Sequence, residues 1–444
     1  MGMTEQVFFP EPTGGVQSMP DAKHIAFYVS SLTRGGTERT FINLAQHLYT
    51  QGFRVTFVTT YISADEYPVP YATWRELDKE EAKELGDDAV EVMRPDETSA
   101  WITFKNVLPE GERGINRVFS GLSPKEQRKL RTVNFSRRTQ MLRRTWEELK
   151  PDLIISANAK NNVMAMLSSI GQDIPVIVCV VANPATEYAS RQLYLSMVAT
   201  FPRAAAVVLQ LEAQAAFFPP KVREKTIVIR NALDETFLKP PYEGDREKTI
   251  VSVGTLNHNK NHQLLIKAFA RVHPKYPEWK LVIYGEGNER RHLAQMISAM
   301  SLRDCVELAG LKENIADEIY KAGIFVLCSN EEGMPMTLLE AMAMGVPSIS
   351  TDCPCGGPKE IVKDGFNGLL TPVGDVARME TALIRFLGNR GLMKSCAGRA
   401  SDVRKMFHPD LVYAAWDDLI ARSLNQPGQA EPSRVEAQVF RSDE

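Results

Sequence analysis

The residues Ser329–Thr351, SNEEGMPMTLLEAMAMGVPSIST, carry carboxylates at Glu332 and Glu340 on either side of Gly333 and Pro335. Pro335 suits a first helical turn, where a missing N–H costs nothing. MTLLEAMAM is built of good helix formers. Gly345 fits the position just past a helix end, with Pro347 beyond it. The pattern predicts a helix from about Pro335 to Met344, following the apolar strand IFVLCS (Ile324–Ser329). Glu332 then sits on the loop at its mouth and Glu340 more than one turn inside. A helix N-terminus offers unpaired N–H groups and partial positive charge, which suits an anion. Carboxylates repel phosphate at contact, so their partners here are hydroxyls. A diphosphate at the mouth, with a hexose held by one carboxylate and a ribose by the other, meets these demands. The implied ligand is a sugar nucleotide, held by Gly333, Met334, Pro335, Met336, Thr337, Leu338 and the two glutamates.

Lys260 ends a strand–loop and puts a cation where a departing diphosphate would develop charge. Gly35 and Gly36 let the backbone approach a ligand closely and open the helix that follows. Cys353-Pro-Cys355 lacks a second cysteine pair and reads as a tight turn that carries thiols. No Asp-x-Asp occurs in the sequence, so no metal requirement and no cofactor are expected.

The elements that must position these groups form two alternations of strand and helix. HIAFYVS (His24–Ser30), a Gly turn, a helix bearing Phe41, Leu44, Ala45 and Leu48, and RVTFVTT (Arg54–Thr60) make one βαβ unit. Residues 61–150 break the rhythm with a polar, charged insertion predicted to hold short helical stretches. Strands resume at 151–156, 175–181, 205–210 and 226–231. Residues 239–247 read as a linker. A second series runs through 248–254, 280–285, 306–310 and 324–329, with helices from Val376 to about Leu424. The predicted division is a disordered leader over 1–21, an N-terminal domain over 22–238, a C-terminal domain over 248–407, a helix over 408–424 packing back on the first domain, and a disordered tail over 425–444. Ligands of doubly wound sheets sit at the carboxyl ends of the strands, so two facing sheets predict a cleft between them.

The chain has 444 residues, 55 acidic against 52 basic, and a net charge of −3, which gives no bias toward nucleic acid. No apolar run is long enough to cross a membrane, and the N-terminus lacks a secretion pattern. Six scattered cysteines fit a reduced, cytoplasmic interior. Ser123–Lys150 carries nine Lys/Arg against three Glu. It reads first as a solvated helical face and second as a surface for peripheral contact with an anionic membrane.

The Ser329–Thr351 stretch resembles the E-x7-E signature of retaining GT-B glycosyltransferases of family 4. GGTER (Gly35–Arg39) resembles that family's glycine-rich loop, VGTLNHNKNHQLLIKAF (Val253–Phe269) its diphosphate-binding segment, and GGPKEIVKDGFNGLLTPVGD (Gly356–Asp375) the segment after the two glutamates. The resemblance implies an α/β chain of two Rossmann-like domains facing across a cleft. It implies transfer of a hexose, with retention, from a nucleoside-diphosphate sugar to a hydroxyl of a saccharide, lipid-linked saccharide or other glycoconjugate. It assigns the donor sugar to Glu332 and the ribose to Glu340, and family frequency favours UDP. ELAGLKE (Glu307–Glu313) resembles the strand end that cradles the base, which would bring in Ala309, Gly310, Leu311 and Lys312. Two departures stand out. Thr255 replaces an arginine common in the family, and Val178–Tyr188 lacks a histidine that many members carry. Asn183 or Glu187 would line that wall instead, and Arg34 would supply missing positive charge. Two other readings stay open: a catalytically weak nucleotide-sugar-binding or partner protein, and a nucleotide-sugar epimerase.

Overall fold

The computed structural model describes residues 22–32, 35–60, 91–92, 100–105 and 124–425. The leader, Arg34 and the tail beyond Asn425 lie outside the described residues.

The N-terminal sheet contains β1 (His24–Val29), β2 (Arg54–Thr59), β3 (Glu91–Val92), β4 (Ala100–Lys105), β5 (Leu153–Ala157), β6 (Val176–Val180), β7 (Ala206–Leu209) and β8 (Thr226–Val228). Its order is β3-β4-β2-β1-β5-β6-β7-β8, parallel throughout except for β3 against β4. The C-terminal sheet contains β9 (Glu247–Val253), β10 (Lys280–Tyr284), β11 (Val306–Gly310), β12 (Ala322–Leu327), β13 (Ser348–Thr351) and β14 (Leu369–Thr371), in the order β11-β10-β9-β12-β13-β14, all parallel. Helices cover both faces of each sheet. That is why HIAFYV and AGIFVL are apolar throughout rather than alternating: each strand is buried on both sides.

Chain order reverses between β1 and β5 in the first sheet and between β9 and β12 in the second. These switch points open crevices at the strands' carboxyl ends. The Gly35–Gly36 turn follows β1, Lys260 follows β9 and Glu332 follows β12.

The structure adds three details to the sequence reading. The described residues within 61–150 supply β3 and β4, of which β4 extends the sheet beside β2, and a 26-residue helix, Pro124–Leu149, longer than the short helical stretches expected there. That helix buries Leu142 and Trp146; Trp146 packs edge-on against Tyr28 and donates to Ser168 Oγ at 2.8 Å. Its C-terminal half therefore packs one side on the core, while Arg143, Arg144 and Lys150 stay exposed on the solvated face that the sequence predicts. Second, β13 and β14 complete the C-terminal sheet from segments too short and too polar to announce themselves. Third, Pro335 is the N-cap of helix Met336–Ala343, one position outside it. The end of that helix follows the sequence. Gly345 adopts φ 66°, its N–H bonds Met342 O, and Val346 N–H bonds Ala341 O.

The helix Pro409–Asn425 inserts Val412, Trp416, Leu419 and Ile420 into the core of the N-terminal domain beside Phe41 and Leu44. His47 stacks on its Tyr413 and reaches Asp417 at 2.9 Å. Among the described residues no helix is long and apolar enough to cross a membrane.

Candidate functional site

The Lys260 loop and the Glu332 loop are zipped together. Asn330 N–H donates to Asn259 O at 2.7 Å, Asn259 Nδ2 to Glu331 O at 2.9 Å, and Asn330 Nδ2 to His258 O at 3.0 Å. Asn257 Oδ1 caps the Lys260 amide, and the Lys260 stem lies against Gly254, where an added Cβ would sit 3.3 Å from it. The result places Lys260 Nζ 2.6 Å from Glu332 Oε1, which also accepts from Ser329 Oγ at 2.6 Å. Glu332 is 11% exposed and Lys260 25%. Burial holds the neighbouring His262 neutral, pulled down to about 4, so it adds no charge beneath the lysine.

Helix Met336–Ala343 begins directly after this pair. The N–H groups of Met336, Thr337 and Leu338 fall in its first turn, where no intrahelical carbonyl is available. The Leu338 side chain is fully buried in the core, and only its backbone faces the mouth. Gly36 lies opposite: a Cβ there would sit 3.7 Å from Met336 Cγ. Gly35 is the extended N-cap of helix Gly36–Thr50 and Gly36 its first residue, so neither needs a left-handed backbone. A Cβ on Gly36 would meet Met336 at ordinary contact distance, so this turn brings the two domains together without requiring glycine for space.

Glu340 is 1% exposed and forms an ion pair with Arg39 of the opposite domain. Burial pushes its carboxyl up to about 7, with Arg39 pulling against that shift. The sequence reading gave Glu340 a ribose as partner; here a guanidinium holds it. Arg39 stands five residues beyond Arg34 in the same segment and brings positive charge to a site where Thr255 offers none. It was legible in GGTER as a cation four residues after Gly35, on the same helical face.

Glu331 also bridges the domains and was not singled out from sequence. Asn183 Nδ2 and Thr186 Oγ1 each donate to its Oε1 at 2.5 Å. Asn183 also caps the short helix Pro184–Glu187 through the Ala185 amide. Met334 N–H donates to Gln210 Oε1 at 3.2 Å, and Asn231 Nδ2 approaches Met336 Sδ at 3.4 Å. Gly333 faces Val181 O so closely that a Cβ would stand 2.5 Å from it. Glu187 lies behind this contact, its Oε2 enclosed without a hydrogen-bond partner and its carboxyl pushed by burial up to about 8.

The β11 end stands apart from these cross-domain contacts. Gly310 has φ 75° and accepts from Gly285 N–H at 2.8 Å, Leu311 is exposed, Ala309 packs on the core, and Lys312 Nζ lies 3.6 Å from Glu318. Cys353 and Cys355 are free thiols; Cys355 takes φ 79° in a turn that brings Gly357 against Gly333 O. The C-x-C is thus a turn that braces the mouth.

Residues 35–232 match the Glycosyl transferase 4-like domain, and residues 234–403 match Glycosyl transferases group 1. An exopolysaccharide phosphotransferase of Streptomyces coelicolor is 32% identical over 48% of this chain, and the match spans 22% of that protein. The Campylobacter jejuni GalNAc-alpha-(1->4)-GalNAc-alpha-(1->3)-diNAcBac-PP-undecaprenol alpha-1,4-N-acetyl-D-galactosaminyltransferase is 26% identical over 64% of this chain and 78% of its own length. Anabaena Alr3699/HepE, solved in complex with UDP, superposes with a TM-score of 0.65 at 18% identity, covering 90% of this chain and 99% of that one. Two parallel-stranded α/β domains, a glycine turn facing a two-glutamate helix mouth, and these matches along nearly the whole described chain lead to one conclusion: the protein belongs to the group 1, family 4 glycosyltransferases and has their GT-B fold.

Proposed function

We propose that the protein transfers a hexose, with retention and without a metal, from a UDP-sugar to a hydroxyl of a saccharide, lipid-linked saccharide or other glycoconjugate. The observation that carries this reading is the 2.6 Å Lys260–Glu332 pair at the mouth of helix Met336–Ala343, facing Gly36. Lys260 and the first-turn amides stabilise the departing diphosphate as its charge develops. Glu332 orients the donor sugar, and the leaving phosphate helps take the acceptor proton on the same face. Glu340 holds the ribose, sharing its carboxylate with Arg39 or releasing it. The UDP preference draws on Alr3699/HepE, which was solved with UDP and with UDP-glucose. The acceptor class draws on the undecaprenol-linked saccharide in the name of the C. jejuni relative.

Thermal unfolding with UDP, GDP and ADP in the presence of EDTA tests the reading. A nucleotide at about 100 times its Kd stabilises by roughly 2.7 kcal/mol. UDP is expected to do so and Glu340→Ala to abolish the effect. Stabilisation by none of them overturns the donor site, and a requirement for divalent cation overturns metal independence. The anomeric configuration of the product, read by NMR, decides retention. Binding without transfer or donor hydrolysis would leave the catalytically weak reading standing.

A further inference from the structure

A cavity of about 650 Å³ opens at the amino ends of β9, β12 and β13, across the C-terminal sheet from the candidate donor site. We propose that it is a second, regulatory site that takes a small phosphate ester. Its volume falls within the range of small-molecule sites, roughly 300–1,000 Å³. Five of its lining residues are cations and two are carboxylates, Asp245 and Glu278, which leaves three positive charges unmatched (5 − 2). Asp245 already serves both Arg390 and Lys394. Arg246 and Arg404 have, among the described residues, no carboxylate within ion-pair distance; they donate to backbone carbonyls. Arg246 is also stacked 4.5 Å over Tyr242, which fixes the plane of its guanidinium. Fixed, carboxylate-free guanidiniums beside the exposed cations Arg390 and Lys394 suit a compact dianion, because the planar fork matches phosphate oxygens. The aromatic wall of Tyr242 and Trp279 leaves room for a small organic body.

The carbonyls that hold these two guanidiniums point to regulation. Arg246 donates to Met344 O at 2.8 Å and Gly345 O at 3.0 Å, and Arg404 Nε donates to Ala343 O at 2.5 Å. Those three residues end the eight-residue helix whose first turn forms the donor-site mouth. An anion that draws on Arg246 or Arg404 changes the capping of this helix at one end while the diphosphate uses the other. This coupling rests on the proposed donor reading; the anion site does not.

The full chain is titrated with inorganic phosphate and with glycerol 3-phosphate by calorimetry at constant ionic strength. Two variants accompany it: Arg390→Gln with Lys394→Gln, both side chains being more than half exposed, and Lys260→Ala on the donor side. The wild type and Lys260→Ala are expected to bind glycerol 3-phosphate alike, and the double variant at least about tenfold more weakly. The site is overturned if the double variant binds like the wild type, if only Lys260→Ala loses binding, or if neither probe binds at millimolar concentration. UDP affinity is then measured with and without glycerol 3-phosphate. A change of about fivefold or more supports coupling, and by linkage UDP must alter glycerol 3-phosphate affinity by the same factor. An unchanged UDP affinity overturns the regulatory role. Failure of UDP to bind at all, with glycerol 3-phosphate still bound through Arg390 and Lys394, overturns the donor reading and leaves the anion site in place.

Discussion

Arg39→Ala removes the cation paired across the domains with Glu340, together with its attraction for Asp234 and its place over the Phe237 ring. Glu340 is 1% exposed while Arg39 keeps 23% of its surface, so the carboxylate bears most of the desolvation. Burial raises that carboxyl from an ordinary 4.5 to about 7 even with Arg39 present, a gap of 2.5 (7 − 4.5). At about 1.4 kcal/mol for each tenfold, keeping it charged costs about 3.5 kcal/mol. The sign follows from linkage: the stability attached to Glu340 is complete below pH 4.5 and is lost as pH rises through about 7. Removing Arg39 lifts the folded-state value further, so the Glu340-linked part of the deficit opens above pH 7 and closes at pH 5, where the carboxyl is protonated in both proteins, while the lost Asp234 and Phe237 contacts add the same amount at both. Breaking a buried pair costs roughly 3–5 kcal/mol when the charge has no escape. Protonation provides one here, so the Glu340-linked deficit at pH 8 is capped by the one pH unit between 8 and about 7, or about 1.4 kcal/mol. For a domain of this size that is a fall of roughly 3–6 °C in the unfolding midpoint. Differential scanning fluorimetry at pH 5 and pH 8 reads it directly, and Glu340→Gln in the Arg39→Ala background is expected to restore most of the Glu340-linked loss. An equal deficit at both pH values, or no rescue by glutamine, refutes the argument.

Lys260→Ala removes the cation 2.6 Å from Glu332 and is expected to weaken UDP binding by about 10–100-fold, the worth of a charge-assisted bond; calorimetry with UDP checks it, and Lys260→Arg should retain part of the affinity. Gly333→Ala puts a Cβ 2.5 Å from Val181 O across the domain boundary. Its expected effect is a larger radius of gyration by X-ray scattering and weaker UDP binding, with the melting of each domain little changed; an unaltered radius would show that the contact does not hold the domains together. Glu187→Gln replaces a carboxyl raised to about 8 by burial, whose stability is present below pH 4.5 and lost as pH rises through about 8. The variant is therefore expected to be more stable at pH 8, by about 2 kcal/mol for relieving an unpaired buried group, and unchanged at pH 4.5. Midpoints that differ equally at both pH values would contradict this.

The sequence by itself determined the local features that propensity and period control. Runs such as HIAFYV and AGIFVL are apolar because both faces of a parallel strand are buried, so alternation with helices was enough to indicate two doubly wound sheets. The end of helix Met336–Ala343 was legible because only glycine takes φ 66° cheaply at residue 345. The loop positions of Glu332 and Lys260 followed from the strands before them. The tertiary structure decided everything that depends on one chain segment meeting another. β4 (AWITFK) is a short apolar run inside a charged stretch; it pairs with the edge of β2, and β3 pairs in turn with β4. The partner of Glu340 is 301 residues away in Arg39, and that of Glu331 is 148 residues away in Asn183. No periodicity records such separations. Glu187 was legible from sequence only as a wall residue, and burial in the folded chain is what makes its protonation state matter. The unmatched charge around Arg246 and Arg404 likewise arises from five cations on three separate segments, brought to one rim when the sheet and its helices pack. Propensity acts over a few residues, whereas ion pairing and desolvation act over a few ångströms, and only the folded chain relates the two.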